Sequence, residues 1–295
     1  MTRHPIIDTH VHFWDMATPV DGMKWVWLEK EFVHPILGDI DGMKSLKYNI
    51  DHVYAESRFA DVSAFVHVQA AIGSEDPVLE TQWLTTMRET APVPFTIVAH
   101  ADLGGDDAMR QLDAHGESPY FVGVRDFASE PMLASGEINP QYETSLDVLA
   151  ERGLAFDLDC EWMNMPAALE LARRHPELQI VLEHIGFPRS RDDAYFSSWQ
   201  SAIKGLAGAE NVTCKISGLG MTDPFFTEES LRRWVDGCIE AFGPDRCVLG
   251  SNWPVDRLYS SYDVIMDLYR KYISHLSDSE QAKILSENAA RIFKL

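Results

Sequence analysis

Short apolar runs alternate with longer amphipathic ones along the whole chain. Eight runs read as strands: IIDTHVH (6–12), VSAFVHVQA (62–70), FTIVAHA (95–101), YFVGVRDF (120–127), LAFDLD (154–159), QIVLEH (179–184), VTCKIS (212–217) and RCVLGS (246–251). Most are continuous apolar stretches rather than strict alternations, which suits parallel strands covered on both faces. Helical periodicity fills the gaps, over 75–90, 142–153, 165–177, 198–208, 227–243, 261–273 and 277–293. Asp76-Pro77 and Pro166 mark helix starts, Gly153 and Pro176 mark stops, and Ser277 or Asp278 is placed to cap the last helix. Eight strands alternating with helices predict an α/β fold, a distorted (β/α)8 TIM barrel, formed by residues 1–295 as a single domain. The rival is an open doubly wound sheet, but no GxGxxG follows the first strand. Residues 13–50 lack periodicity and form a long loop after strand one, expected to be a lid or substrate wall.

Composition narrows the possible partners. The 295 residues carry a formal net charge of −21, which disfavours nucleic acid and anionic membranes. No apolar run approaches the ~18 residues of a membrane span, and the start lacks a charged-then-apolar leader layout. The reading is a cytoplasmic protein. Cys160, Cys214, Cys238 and Cys247 show no CxxC spacing, and buried free thiols are expected.

Polar residues crowd the C-terminal ends of the predicted strands, where barrels of this kind carry their chemistry. Strand one supplies His10 and His12, with Asp8 expected on the same face by the two-residue period. Strand two supplies His67 and Gln69, strand three His100 and Asp102, and strand four Arg125 with Asp126. Strand five supplies Asp157, Asp159 and Glu161, and strand six Glu183 and His184. Lys215, Ser217, Ser251 and Asn252 complete the ring. Burying each of these unpaired would cost about 1–3 kcal/mol, so a solvated reactive funnel explains them better than packing does.

These motifs, in order, resemble the amidohydrolase superfamily, and within it the metabolic hydrolases that include 2-pyrone-4,6-dicarboxylate lactonase and sugar-acid lactonases. The resemblance is carried by IIDTHVHFWD, VHVQA, FVGVR, AFDLD, IVLEHIGFP, NVTCKISGLG and CVLGSNWPV. It implies that His10, His12 and His184 meet at the barrel mouth, where related proteins bind a divalent metal. The family's aspartate at the end of strand eight is Asn252 here, in GSNWP. An amide neither takes a proton from water nor binds a cation as a carboxylate does. Asn252 therefore favours a metal-free site over a single Zn2+ held by His10, His12 and His184.

The resemblance implies hydrolysis of a lactone or similar cyclic ester of a small, carboxylate-bearing metabolite. His10, His12, His184, Asn252 and Lys215 are the candidate catalytic residues. Arg125 is suited to a substrate carboxylate, or else to an ion pair with Asp126 or Asp157. His67 and Gln69 are expected to hydrogen-bond substrate, Asp157 and Asp256 to belong to the substrate site, and Trp253, like Trp14, Trp25 and Trp27, to wall the pocket. The general base is expected to be His184, with Asp256, Asp157 and Glu161 as alternatives. A metal-dependent non-oxidative decarboxylase and a catalytically degenerate binding barrel are the competing readings.

Overall fold

A computed structural model describes residues 4–35 and 37–295. Eight strands form one sheet in sequential order, each parallel to the next. They are β1 (Ile6–Val11), β2 (Val62–Val68), β3 (Phe95–His100), β4 (Phe121–Arg125), β5 (Ala155–Leu158), β6 (Ile180–Leu182), β7 (Val212–Ile216) and β8 (Cys247–Leu249). The sheet curls until β8 meets β1. Thr9 Oγ1 donates to Leu249 O at 2.8 Å, and beyond the strand ends His12 N donates to Trp253 O at 2.8 Å. The expected (β/α)8 barrel is the fold found.

Helices α1 (Ile50–Ser57), α2 (Val78–Glu89), α3 (Ala108–His115), α4 (Ser129–Ser135), α5 (Pro140–Glu151) and α6 (Met165–Arg174) lie in the first half and centre of the chain. Helices α7 (Asp193–Leu206), α8 (Glu228–Phe242), α9 (Tyr262–Tyr272), α10 (Asp278–Ala282) and α11 (Asn288–Phe293) follow. Local chemistry sets their ends. Asn139 accepts from Gln141 N with Pro140 in the first turn of α5, and Ser277 accepts from Glu280 N at the start of α10. The predicted final helix is broken by a π-turn over Lys283–Glu287. Helices α1, α3 and α4 were not expected from periodicity; α3 and α4 are only 8 and 7 residues long. So few turns give a weak signal, and their stability comes from packing.

Two apolar layers hold the barrel. The larger lies between strands and helices. The smaller uses strand residues such as Ile7, Ala64, Val66, Val68, Val181 and Val248, stoppered by Ala289, Ile292 and Phe293 of α11. All four cysteines are buried and free, as expected. Among the described residues no helix is long and apolar enough to cross a membrane.

The loop over 13–50, apart from Ile36, which lies outside the described residues, is tied down by a two-residue antiparallel pairing of Trp14–Asp15 with Lys47–Tyr48. A turn of 3-10 helix covers Val26–Leu28. Trp14 packs on Trp27 and Tyr48, with ring centroids at 5.7 and 5.3 Å.

Candidate active site

Strand β1 does bring two imidazoles to one place. His10 Nε2 and His12 Nε2 are 3.1 Å apart. A register shift between Asp8 and Val11 breaks the alternation, so Asp8 does not share that cluster. Its carboxylate instead accepts from Ser251 N, Ser251 Oγ and Tyr262 OH at 2.8, 2.6 and 2.7 Å.

His184 arrives by an unusual backbone. Strand β6 ends at Leu182, and His184, Ile185, Gly186 and Phe187 then have φ of 48, 53, 74 and 46°. Left-handed geometry costs a residue with a Cβ about 1–2 kcal/mol. Trp199 Nε1 donating to Ile185 O at 2.8 Å helps hold the turn. The result sets the His184 ring 4.4 Å from His10. Two glycines leave the space. A Cβ on Gly218 would stand 2.5 Å from His184 Nδ1, and one on Gly250 would stand 2.7 Å from His10 Cβ.

Two of the imidazoles are held through their Nδ1 side. His12 Nδ1 meets Val68 O at 2.8 Å and His184 Nδ1 meets Ser217 Oγ at 2.8 Å. His10 Nδ1 lies 3.4 Å from Glu183 Oε1, and neither atom has a hydrogen-bond partner among the described residues. Burial lowers the basicity of all three rings, and neighbouring cations add to it, so His184 falls to about 4 and His10 and His12 well below their ordinary value. All are neutral at pH 7, the form that ligates metal. Ligand atoms of His10, Glu183 and His184 lie within 4.8 Å of one another. Neutral imidazoles, two of them held by outer hydrogen-bond partners, beside an unsatisfied carboxylate oxygen, fit a divalent cation. Glu183, next to His184 in sequence, was expected only as a polar strand end; its adjacency to His184 was the available signal.

Beneath the imidazoles lies a band of buried charge on four successive strands. Arg125 NH1 donates to Glu183 Oε2 at 3.2 Å and NH2 to Gln69 O at 2.8 Å. Lys215 Nζ donates to Asp157 Oδ2 and lies 3.8 Å from Glu183 Oε1. Burial would raise Glu183, but Arg125 and Lys215 hold it down to about 2, while Asp157 is pushed up to about 7 by burial despite Lys215. Lys215 has no exposed surface. The structure thus places Lys215 and Asp157 in an ion pair below the imidazoles. The fork of Arg125, expected for a substrate carboxylate, is taken by Glu183 and a main-chain carbonyl.

Above this floor opens a cavity of ≈ 340 Å³. His12, Gln69, Arg125, Asp159, His184 and Asn252 are among its lining, together with Trp27. The remaining expected residues lie elsewhere. His67 turns to α2, where its Nε2 meets Glu80 Oε1 at 3.1 Å. Trp253 Nε1 donates to Glu56 Oε2 at 2.6 Å. Asp256 supports the site from behind, accepting from Asn252 Nδ2 at 3.0 Å and Gly220 N at 3.2 Å. Its pKa is pushed up to about 7 by burial. Trp25 packs against Trp83 instead of the cavity, and Glu161 pairs with Arg189.

Asp159 is the acid among the described lining residues. Its carboxylate has no hydrogen-bond partner among them, and burial, with Glu183 nearby, pushes it up to about 7. Gln69 Nε2 and Arg125 Nε are buried donors without partners among the described residues. Asp159 and these two donors thus belong to residues of one cavity.

A profile of the family described as "Amidohydrolase" matches residues 7–295. A Sinorhizobium fredii protein named "Uncharacterized protein y4mH" is 34% identical, covering 100% of both chains. L-fucono-1,5-lactonase of Burkholderia ambifaria is 28% identical over 98% of this chain and 95% of its own. An amidohydrolase from Burkholderia multivorans, crystallised with bound zinc, is 23% identical with a TM-score of 0.82 over 99% of each chain.

Proposed function

The chain belongs to the amidohydrolase family, and from that premise we propose that it hydrolyses a lactone or similar cyclic ester of a small molecule. The carrying observation is that the Asp159 carboxylate lines one cavity with His12, His184, Gln69 and Arg125, and that Gln69 Nε2 and Arg125 Nε are donors without partners among the described residues. The lactonase relatives at 28% and 25% identity support the same reaction class.

The proposed step runs through the chain's own groups. Water forms a bond to the lactone carbonyl carbon as Asp159 takes its proton. Gln69 Nε2 and Arg125 Nε donate to the oxyanion that develops. The oxyanion collapses, the ring C–O bond breaks, and the leaving oxygen recovers the proton from Asp159. The product is a hydroxy acid. Asp159 suits this exchange better than His184, whose lowered basicity makes it a weak base at neutral pH. Asn252, fixed by Asp256, presents an amide to the cavity in place of a charge. His10, His12, His184 and Glu183 would hold a divalent cation, which would supply Lewis acidity toward the carbonyl and the attacking water.

A pH-stat assay on a lactone panel, using chelated and zinc-reloaded protein, tests the proposal. We expect proton release with ring opening, and Asp159→Asn to lower kcat by about 100-fold or more. Carbon dioxide release from an aromatic acid, with no lactone opened, would replace this reading with decarboxylation.

A further inference from the structure

The polar groups at the cavity floor are roofed by aromatic rings from separate loops. Trp27 faces His12 edge-on with ring centroids 6.2 Å apart, and Phe187 meets His184 at 4.8 Å. The Arg125 guanidinium carbon sits 4.7 Å from the centre of the Phe127 ring. Phe32, Ile72 and Met221 extend the same lining. The indole N–H of Trp27 is already spent on Ala70 O at 2.7 Å, so this ring offers substrate only an apolar face. Of the polar lining, Asn252 Nδ2 and the Nδ1 atoms of His12 and His184 are committed to protein partners.

With Gln69 Nε2 and Arg125 Nε assigned to the carbonyl and Asp159 to the attacking water, few lining side-chain groups remain to receive a ligand's hydroxyls. A polyhydroxylated ring would bury several donors and acceptors against aromatic carbon, each losing its water without replacement. A multiply charged anion fares no better. The NH1 and NH2 groups of Arg125 face Glu183 and Gln69 O, and Asp159 adds a carboxylate to the same cavity.

Resting on the lactone-hydrolase reading above, we infer that the cavity takes an uncharged lactone bearing an apolar alkyl or aryl substituent, in preference to polyhydroxylated or polycarboxylate lactones. The ring carbonyl meets Gln69 and Arg125, and the substituent lies against Trp27, Phe32, Phe127 and Phe187. Trp27 and Phe127 then act as specificity-determining residues.

The test compares kcat/KM for δ-decalactone and γ-phenyl-γ-butyrolactone with that for L-fucono-1,5-lactone and 2-pyrone-4,6-dicarboxylate. We expect the apolar pair to lead by about 100-fold. Trp27→Ala should raise KM for δ-decalactone by about 10-fold while changing kcat much less. A preference for either polar lactone overturns the inference while leaving lactone hydrolysis standing. If no lactone is opened, the reaction reading fails and calorimetric binding decides the cavity's chemistry. Tighter binding of γ-phenyl-γ-butyrolactone than of L-fucono-1,5-lactone sustains the inference, and the reverse order overturns it.

Discussion

Glu183 and Asp256 are both wholly buried carboxylates just beyond strand ends, on different flanks of the barrel mouth. The first is held down to about 2 and the second is pushed up to about 7. Burial acts on both in the same direction. The difference is company. Glu183 stands on the β4–β7 flank, within reach of Arg125 and Lys215. Asp256, beyond β8, accepts among the described residues from the neutral donors Asn252 Nδ2 and Gly220 N. Glu183 keeps its charge at all working pH values, whereas Asp256 stands near its titration point. The contrast also explains how an amide is accommodated at position 252. A carboxylate at 252 would replace this amide donor, 3.0 Å from Asp256, with a second negative charge.

The largest expected effect attacks the charged flank. Lys215→Met leaves Asp157 buried without its ammonium and should cost about 3–5 kcal/mol in urea denaturation. Adding Asp157→Asn should restore more than half of that loss, because the Arg125–Glu183 pair stays balanced. A loss below about 1 kcal/mol for the single variant would mean that the flank is not held by its charges.

A smaller effect is expected when the neutral flank is given a charge. Asn252→Asp deprives Asp256 of its amide donor and should cost about 1–3 kcal/mol at pH 8, and less at pH 5 where the pair can hold a proton. Equal losses at both pH values would contradict the account of this flank.

The gentlest perturbation is Asp256→Asn, read as a slope. Because the folded-state pKa is raised from the ordinary 3.8 to about 7, the folded protein holds a proton that the unfolded chain has released. That contribution is complete below about pH 4 and is lost as pH rises to about 7. Wild type should therefore lose stability relative to Asp256→Asn between pH 5 and 7, by up to about 1.4 kcal/mol per pH unit. A difference independent of pH would show that Asp256 is ionised throughout.

The two flanks also differ in how legible they were. His10 and His12 followed from the two-residue period of a strand, and they meet as that period requires. The same rule failed for Asp8, where a register shift intervenes, and for His67, which contacts Glu80 on α2 while Gln69 reaches the cavity. Glu183 and Lys215 were visible as strand-end polar residues, but not as members of one charge band. Their partners come from other strands, about 60 residues away in the case of Asp157 and Lys215. Asp159 was visible in the same way, yet its freedom from partners belongs to the assembled cavity.

Alternating apolar runs, helix caps and family motifs were enough to determine the barrel, the strands that carry its chemistry, and the meeting of three histidines. The barrel and its polar strand ends are local or periodic properties, written in neighbouring residues; the approach of His184 to His10 and His12 was implied by the family resemblance alone. Which carboxylate is charged, which donor is left unsatisfied and which aromatic ring covers which imidazole were decided only by the tertiary structure. Those properties depend on burial and on through-space neighbours, and residues from distant strands become neighbours only when the barrel closes.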